Sequence, residues 1–184
     1  MNWEIEIKAH ISEPQQIEQK IMQMGGQLIR SYHKVDQYFH MALSSGETQD
    51  FRLRVDGDKA LVTFKDKELK DGLEMNREGE FSVSDPELFE AFIIRLGAQR
   101  FIEKRKRGKA FKYKELLLEL SEVRDLGWFL EIEAVFHKDY ETQNPQFIQA
   151  TEQKLFRVLS SLGISKDAIE PRTYTQMLRE QGIR

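Results

Sequence analysis

The stretch of sequence that decides the fold lies near the amino terminus, where residues 3–10 read W-E-I-E-I-K-A-H. Successive side chains of a β-strand point to opposite faces, so this alternation separates the apolar from the polar side chains. The apolar face carries Trp3, Ile5, Ile7 and Ala9, and the polar face carries Glu4, Glu6, Lys8 and His10. The stretch therefore predicts a strand with one buried and one charged face.

Similar segments recur along the chain. Strands are predicted over 27–41, 50–55, 59–65, 74–83, 101–113, 116–123 and 128–136, with D-G-D as the hairpin turn between the third and fourth strands. Helices are predicted from a capping box at Ser12 and Gln15 to about Met24, from Pro86 to about Leu96, over 147–162, and over 172–180. The short connections favour antiparallel neighbours. The fold class is α+β, in a single domain over residues 1–184.

The polar faces of these strands carry six carboxylates and six cations, most of which form pairs of like charge spaced by two residues. These are Glu4, Glu6 and Lys8; Arg52 and Arg54; Lys65; Glu78 and Glu80; Arg105 and Arg107; and Glu131 and Glu133. Solvated faces more often mix signs to gain cross-strand pairing. Eight such strands can close into an antiparallel β-barrel that has helices packed on its apolar outside and a charged, wet interior.

Such an interior needs a partner for its charge, because unpaired buried charges are costly. Clustered carboxylates suit hard divalent ions such as Mg²⁺ or Mn²⁺. Clustered Arg and Lys side chains suit phosphate oxygens. The two sets together indicate a metal–polyphosphate ligand and phosphoryl-transfer chemistry.

Composition excludes several other classes. The chain has 184 residues, 28 basic and 31 acidic side chains, a net charge of −3 and no cysteine. Disulfides, thiolate zinc sites, iron–sulfur clusters and a thiol nucleophile are therefore excluded. The negative net charge disfavours a nucleic-acid partner, and no apolar run approaches the ~20 residues of a membrane span. We expect a cytoplasmic protein with no membrane association.

These residues resemble the CYTH family, also called triphosphate tunnel metalloenzymes. The similarity begins with E-I-E-I-K at 4–8 and continues through D-Q-Y-F at 36–39, R-L-R at 52–54, T-F-K at 63–65, R-E-G-E at 77–80 and L-G-W-F-L-E-I-E at 126–133. The ending E-P-R-T-Y at 170–174 resembles the class IV adenylate cyclase branch. The similarity covers nearly the whole chain in order.

The resemblance implies an eight-stranded tunnel that binds a triphosphate together with Mg²⁺ or Mn²⁺. It implies catalytic roles for Lys8, Arg54 and Lys65. The phosphate-binding set would be Lys8, Arg52, Arg54, Lys65, Arg105, Arg107 and Arg172. The metal-binding set would be Glu4, Glu6, Glu131, Glu133, Glu78 and Glu80, with Glu119 as a partial substitute for the aspartate that the family carries where Ser121 stands here.

Two interpretations stay open in the fifth strand. Glu78 and Glu80 follow Arg77 by one and three residues instead of two and four. Either Arg77 points outward, or a bulge at Gly79 resets the alternation.

Other candidates are predicted to be structural. Tyr38 is more often a packing residue than a functional one, and Asp36 shares its motif. The four histidines, His10, His33, His40 and His137, show no metal-ligand spacing. Alternation is taken to send Lys104 and Lys106 outward. Leu88, Phe89, Phe92 and Ile93 recur at helical spacing and are predicted to be core.

The leading hypothesis is an enzyme of the class IV adenylate cyclase type, which converts ATP to cyclic AMP and pyrophosphate. The alternative is a triphosphatase acting on tripolyphosphate, thiamine triphosphate or a nucleoside triphosphate. A non-catalytic barrel that binds polyphosphate or a nucleotide is a weaker hypothesis, and a nucleic-acid-binding module is the weakest of the four. A small-molecule triphosphate is the expected partner, and a homodimer is considered.

Overall fold

The computed structural model describes residues 2–70, 73–136 and 144–183, with the side chains of residues 2, 66–70 and 73 left out. Its eight strands are β1 Asn2–Ile11, β2 Gln27–Ala42, β3 Thr48–Asp56, β4 Lys59–Lys70, β5 Leu73–Val83, β6 Gln99–Tyr113, β7 Leu116–Val123 and β8 Gly127–Phe136. The helices in the described ranges are α1 Pro14–Gln23, α2 Pro86–Arg95, α3 Pro145–Ser161 and α4 Tyr174–Glu180, with a 3-10 turn over Lys166–Ala168.

The strands form one closed antiparallel barrel in the order β1-β5-β4-β3-β2-β6-β7-β8. The closure is the pairing of β1 with β8, in which Glu6 lies opposite Glu133 and Lys8 opposite Glu131. The predicted α+β class and the eight-stranded antiparallel barrel are confirmed. None of the described helices is both long and apolar enough to cross a membrane.

Three of the described helices, α1, α2 and α3, begin with a proline in the first helical turn, whereas α4 begins after Thr173, which forms a capping box with Gln176. Asp85 caps α2 by accepting a hydrogen bond from the Leu88 amide at 2.9 Å, as predicted. The predicted capping box at Ser12 is wrong, because α1 begins at Pro14, after Glu13, without a side-chain cap. The residue that sets this start is the proline, whose fixed φ suits the first helical position.

The core lies outside the barrel, between the apolar strand faces and the helices. Ile5, Ile7, Leu118 and Ile132 are fully buried there. They belong to one cluster with Leu155, which α3 contributes. Apolar residues therefore face the helices, and the charged residues on alternate positions are left to face the barrel interior.

The prediction that helix α2 buries Leu88 and Phe92 is wrong. Leu88 is 67% exposed and Phe92 57% exposed, whereas Ile93 is buried and Phe89 is partly buried. The barrel meets α2 along the Ile93 side, so the other apolar side of the helix faces solvent. No described chain segment covers this face, and the homodimer stays a prediction.

Gly79 accounts for a close contact between β4 and β5. Gly79 pairs with Phe64 across these strands, and a Cβ atom added at Gly79 would overlap the Phe64 ring. We expect Gly79→Ala to lower the free energy of unfolding by about 1–3 kcal/mol, because the ring must leave its position. Urea unfolding measures the change, with Ser82→Ala on the same strand as control. Equal midpoints for both variants would contradict the contact.

Candidate functional site

The barrel encloses a charged cavity of about 540 Å³. Its lining includes most of the predicted site residues, namely Glu4, Glu6, Lys8, Arg52, Arg54, Lys65, Glu78, Glu80, Glu119, Glu131 and Glu133. It also includes residues that the sequence interpretation missed, among them Lys34, Thr63, Glu74, Lys104, Lys106 and Tyr174. The volume lies within the range of small-molecule binding sites.

The strand order separates the two signs of charge around the cavity. Strands β8, β1 and β5 are neighbours and contribute the acidic wall, which we define as Glu4, Glu6, Glu74, Glu78 and Glu133. Strands β3, β2 and β6 are neighbours and contribute the basic wall, defined as Arg52, Arg54, Lys34, Lys104 and Lys106. One side of the cavity therefore favours a cation and the other an anion.

The acidic wall holds carboxyl groups that resist ionisation. Burial raises the pKa of Glu6 to about 8, and the neighbouring Glu74 charge adds to the shift. Burial also raises the pKa of Glu133 well above its ordinary value, with Glu4 as the main charged cause. The pKa of Glu4 is raised by burial, against the opposing charge of Lys65. Such a cluster of desolvated like charges gains stability from a bound cation.

Lys65 is the cation that the chain itself places at the acidic wall. Its Nζ lies 3.2 Å from Glu4 and is also paired with Glu78. The charge of Lys65 lowers the pKa of Glu78 although burial opposes it. Lys65 therefore partly neutralises the wall and lies within reach of any anion bound beside it.

Asp36 holds two cations of the basic wall, Arg54 and Lys104, in position. This fully buried carboxylate accepts hydrogen bonds from Arg54 Nε at 2.6 Å and from Arg54 Nη2 at 2.8 Å. Lys104 Nζ lies 3.0 Å from Asp36 Oδ2, the oxygen that also accepts from Arg54 Nη2. Against the effect of burial, Lys104 and Arg54 hold the pKa of Asp36 well below its ordinary value. Asp36 therefore fixes two cations in place, a positioning role that its motif had left undecided.

Glu119 is held by lysines. It accepts hydrogen bonds from Lys34 at 2.6 Å, Lys106 at 2.7 Å and Tyr32 at 3.0 Å. Although burial opposes the shift, Lys106 and Lys34 hold the pKa of Glu119 below its ordinary value. The carboxylate thus lies in the cavity, as the partial substitution for an aspartate at Ser121 requires, but it serves to order the two lysines. Ser121 itself is fully buried, and its Oγ finds no partner in the described part of the chain.

Glu131 has a similar position. Lys106 Nζ contacts Glu131 as well as Glu119, so one ammonium group joins the carboxylates of β7 and β8. The Lys106 charge lowers the pKa of Glu131 against the effect of burial. Of the predicted metal ligands, Glu131 and Glu119 therefore neighbour the basic wall, whereas Glu4, Glu6, Glu78 and Glu133 form the acidic one.

The predicted orientation of strand β6 is wrong. Arg107 is 71% exposed and pairs with Glu122, and Arg105 pairs with Glu103 at 2.8 Å, both on the outside of the barrel. The inward cations are Lys104 and Lys106, whose side chains are each 3% exposed. Four consecutive basic residues hide the alternation. The residue that could have indicated the orientation is Phe111, which lies on the same face of β6 as both arginines. Because Phe111 is buried between the barrel and the helices, that face points out of the barrel.

Arg172 is also misplaced by the sequence interpretation. Its side chain lies outside the cavity lining and pairs with Glu170 at 2.8 Å and with Glu180 at 2.7 Å. The hydrogen bond from Arg172 is the main cause that lowers the pKa of Glu170 to about 2. The guanidinium therefore secures the carboxyl-terminal segment, and only the Arg172 carbonyl oxygen contacts the site, where it accepts a hydrogen bond from Lys8.

The carboxyl-terminal segment closes part of the cavity with an aromatic ring. The Tyr174 ring packs edge-on against Phe129 at 5.1 Å, and its centroid lies 4.6 Å from the Nζ atoms of both Lys8 and Lys104. Its hydroxyl is buried without a partner in the described chain. Lys8 is thus inside the cavity as predicted, with its ammonium group already engaged by residues 172–174.

The pairing of strand β5 shows whether Arg77 points outward or a bulge at Gly79 resets the alternation. Its pairing with β4 runs without interruption from Val83 to Leu73, so there is no bulge at Gly79. Arg77 is exposed on the outside, and Glu78 and Glu80 face the cavity. Thr63 Oγ1 donates to Glu80 at 3.2 Å. The first of the two interpretations is therefore confirmed.

The histidines lie outside the cavity lining in the described chain. His10 contacts Glu170 at 3.1 Å, and His40 contacts Asp50 at 2.6 Å. His33 is exposed. His137 lies outside the described residues. No described histidine is therefore placed to act on a ligand in the cavity.

The donor set of the acidic wall fits a hard divalent cation. Its carboxylates share the site with the buried Asn76, whose Nδ2 donates to Glu74 at 2.9 Å and whose Oδ1 has no partner among the described residues. Within those same residues, no three His, Cys, Asp or Glu side chains are already arranged around one ion position. Lys65 pairs with Glu4 and Glu78 instead, so a cation bound at these two carboxylates would have to compete with it.

The raised pKa of Glu6 predicts a pH-dependent stability. A carboxyl group with a pKa of about 8 in the folded chain and 4.5 as its ordinary value favours the folded state at low pH. We expect the contribution of Glu6 to be lost as the pH rises from about 4.5 to 8, at no more than about 1.4 kcal/mol per pH unit. Urea unfolding of the metal-free protein, compared with Glu6→Gln, isolates this contribution. A stability difference between the two proteins that does not change with pH would contradict it.

Comparison with known proteins agrees with this architecture. The sequence pattern that defines the CYTH domain family matches residues 2–174 of this chain. The chain belongs to the CYTH domain family. This CYTH chain is 24% identical over 181 residues to a protein of Methanocaldococcus jannaschii named as a candidate adenylate cyclase, covering 95% of this chain and 97% of the relative.

Solved structures of other proteins show the same fold as this CYTH chain. A Pyrococcus horikoshii protein superposes with a TM-score of 0.78 at 27% identity, covering 94% of this chain and 98% of the other. A Hippeastrum protein, described as a candidate adenylyl cyclase with a dominant triphosphatase activity, superposes with a TM-score of 0.64 at 15% identity, covering 100% of this chain and 97% of the other. At this identity the second likeness concerns the fold alone.

Proposed function

We propose that this CYTH protein is a metal-dependent enzyme that binds a triphosphate in its cavity and acts on it in the manner of a class IV adenylate cyclase. The observation that carries the proposal is the segregation of charge, with an acidic wall facing a basic wall across one cavity. A triphosphate with a divalent cation has the matching division of charge. The full-length similarity to a protein named as a candidate adenylate cyclase supports the choice of reaction.

The basic wall would bind the phosphate oxygens. Arg52 Nε is buried and finds no acceptor among the described residues, while its Nη2 donates to Thr63 at 3.0 Å. Arg54 and Lys104 are fixed by Asp36, so they can bind an anion with little loss of conformational freedom. Lys106 and Lys34 are fixed by Glu119 in the same way.

Lys34 adds a pH-dependent charge to this wall. Burial lowers its pKa to about 8, against the opposing effect of Glu119. A phosphate group nearby would raise that pKa and complete the protonation of the ammonium group. Binding of the triphosphate is therefore coupled to proton uptake at pH 8 and above.

The acidic wall would hold the divalent cation, with Glu4, Glu6 and Glu133 as the central carboxylates and Mg²⁺ or Mn²⁺ as the ion. When bound there, the ion supplies positive charge to phosphate oxygens and stabilises the charge that develops as a phosphoanhydride bond breaks. The chain's own contribution is to hold the triphosphate between Lys65 and the basic wall, and to align it for displacement at one phosphorus.

In the cyclase reaction the ribose 3′-oxygen forms a bond to the α-phosphorus, and the bond from that phosphorus to the bridging oxygen breaks. Pyrophosphate leaves with the bond electrons, and the 3′-hydroxyl proton passes to solvent. Terminal hydrolysis of a triphosphate would use the same phosphate contacts with water as the attacking group. A dominant triphosphatase activity is described for the structurally similar Hippeastrum protein, so this second reaction is tested in parallel.

One assay separates these reactions. The protein is incubated with Mg²⁺ or Mn²⁺ and, in turn, with ATP, tripolyphosphate and thiamine triphosphate, and the products are resolved by chromatography. Cyclic AMP and pyrophosphate from ATP are the expected products. Phosphate release without cyclic AMP would replace the cyclase with the triphosphatase. Ligand binding without any turnover, or binding that survives chelation of the metal, would instead indicate a non-catalytic barrel.

A further inference from the structure

An irregularity in strand β6 brings a phenylalanine into the charged cavity. Along the β2–β6 pair, Tyr38 lies opposite Ile102 while the next residue, Phe39, lies opposite Arg100. Phe101 is therefore the extra residue of a β-bulge and has no partner on β2. Bulges re-aim a side chain, and this one turns Phe101 toward the cavity, where it forms part of the lining.

The bulged ring meets a second aromatic ring of the cavity wall. The centroids of Tyr38 and Phe101 are 6.2 Å apart, with the ring planes inclined by 43°. Both side chains are partly exposed, and both line the cavity. Neither ring belongs to the apolar clusters between barrel and helices. The two rings thus form a partly open apolar surface inside a cavity that is otherwise mostly polar or charged.

Each of the two rings has a cation from the chain beside it, one of them from helix α4. The Arg179 guanidinium carbon lies 4.4 Å from the centroid of Phe101, within the range of a cation–π contact. Lys104 Nζ lies 5.6 Å from the centroid of Tyr38. Rings fixed by their neighbours lose little conformational freedom when a planar ligand stacks on them, which favours binding.

The aromatic surface adjoins the proposed phosphate-binding residues. Arg52 is the direct partner of Tyr38 across the β2–β3 pair, a separation of about 5 Å between Cα atoms in antiparallel sheets. Lys104 belongs to the basic wall and also contacts Tyr38. A ligand whose phosphates reach Arg52 and Lys104 would therefore place whatever is attached to its first phosphate near Tyr38 and Phe101.

We propose that Tyr38 and Phe101 form the binding surface for a heteroaromatic ring attached to the triphosphate, so that the site selects a nucleoside-type triphosphate over inorganic tripolyphosphate. This inference rests on the proposed function, because it assumes that the triphosphate lies between the two walls. Inorganic tripolyphosphate has no group that can use the aromatic surface, whereas a nucleobase has a planar face of matching size.

The test compares two ligands on the full-length protein. Dissociation constants for ATP and for tripolyphosphate are measured by isothermal titration calorimetry in the presence of Ca²⁺, used as a hard divalent ion to slow turnover. We expect Phe101→Leu and Tyr38→Leu each to weaken ATP binding roughly 5- to 150-fold, the range of base–aromatic stacking. Tripolyphosphate binding should stay unchanged, which also shows that each variant is folded.

The control is Phe81→Leu, which removes a ring that is 48% exposed outside the cavity lining. It should leave both dissociation constants unchanged. Equal losses for ATP and tripolyphosphate, or no loss for either, would overturn the aromatic subsite while leaving the triphosphate site intact. Failure of the wild-type protein to bind both ligands would instead overturn the proposed function, and with it this inference.

Discussion

Glu6→Gln is expected to abolish metal-dependent turnover while making the metal-free protein more stable at pH 8. The two effects have one cause. Glu6 belongs to a wall of desolvated carboxylates, where burial and neighbouring charge raise its pKa to about 8. A glutamine removes the charge that a divalent cation would bind, and it also removes repulsion within the wall in the cation's absence.

Turnover of ATP and of tripolyphosphate with Mg²⁺ or Mn²⁺ measures the first effect, and urea unfolding in the presence of a chelator measures the second. Glu122→Gln is the matched control, because Glu122 lies on the outside of the barrel, where it pairs with Arg107. Wild-type turnover in Glu6→Gln would show that the acidic wall does not hold the metal. A loss of stability at pH 8 would show that Glu6 is not repelled by its neighbours.

Arg52→Ala is expected to weaken triphosphate binding by roughly 2–5 kcal/mol, the cost of removing a desolvated charge from its partner. Arg52 is a cleaner test than Arg54, because Arg54 forms an ion pair with the buried Asp36 and its loss would also strain the fold. Arg52 donates to the neutral Thr63 hydroxyl. Its replacement therefore leaves no buried charge unpaired among the described contacts.

Arg105→Ala is the matched control for Arg52→Ala. Arg105 carries the same side chain and was predicted from the sequence to bind phosphate, but it lies on the outside of the barrel beside Glu103. Calorimetric titration with tripolyphosphate should show a loss for Arg52→Ala and none for Arg105→Ala. The reverse order would place the phosphates outside the cavity and contradict the assigned orientation of β6.

The barrel could be predicted because most of its strands alternate apolar and charged residues without ambiguity. In β1, Ile5 and Ile7 must face the core, so Glu4 and Glu6 must face the interior. The same reasoning places Glu131 and Glu133 in β8 on the interior face. In these strands, burial of the apolar residues fixes the direction of the charged ones.

Strand β6 could be predicted as a strand but not in its orientation. Lys104, Arg105, Lys106 and Arg107 are all basic, so charge alone does not distinguish the two faces. The apolar Phe111 carried the missing information, because its face packs against the helices. The bulge at Phe101 left no mark in the alternation, since it depends on the pairing of β6 with β2.

The ion-pair and hydrogen-bond partners of the buried lysines could not be predicted from the sequence either. Glu119 is separated from Lys34 by 85 positions and from Lys106 by 13, and no local pattern links them. Lys8 and Arg172 are separated by 164 positions. Such contacts follow from barrel closure and from the return of the carboxyl-terminal segment. The sequence could therefore predict which charges enter the cavity more readily than which of them pair.

The proposed function requires that one cavity bind a triphosphate and a divalent cation together on opposite walls. The most direct test is calorimetric titration of the full-length protein with tripolyphosphate, in the presence and absence of Mg²⁺. The predicted result is tighter binding with Mg²⁺, with the gain lost in Glu6→Gln and the binding itself weakened in Arg52→Ala. Binding that is equally strong without Mg²⁺, or that is unaffected by both substitutions, would contradict the proposed function.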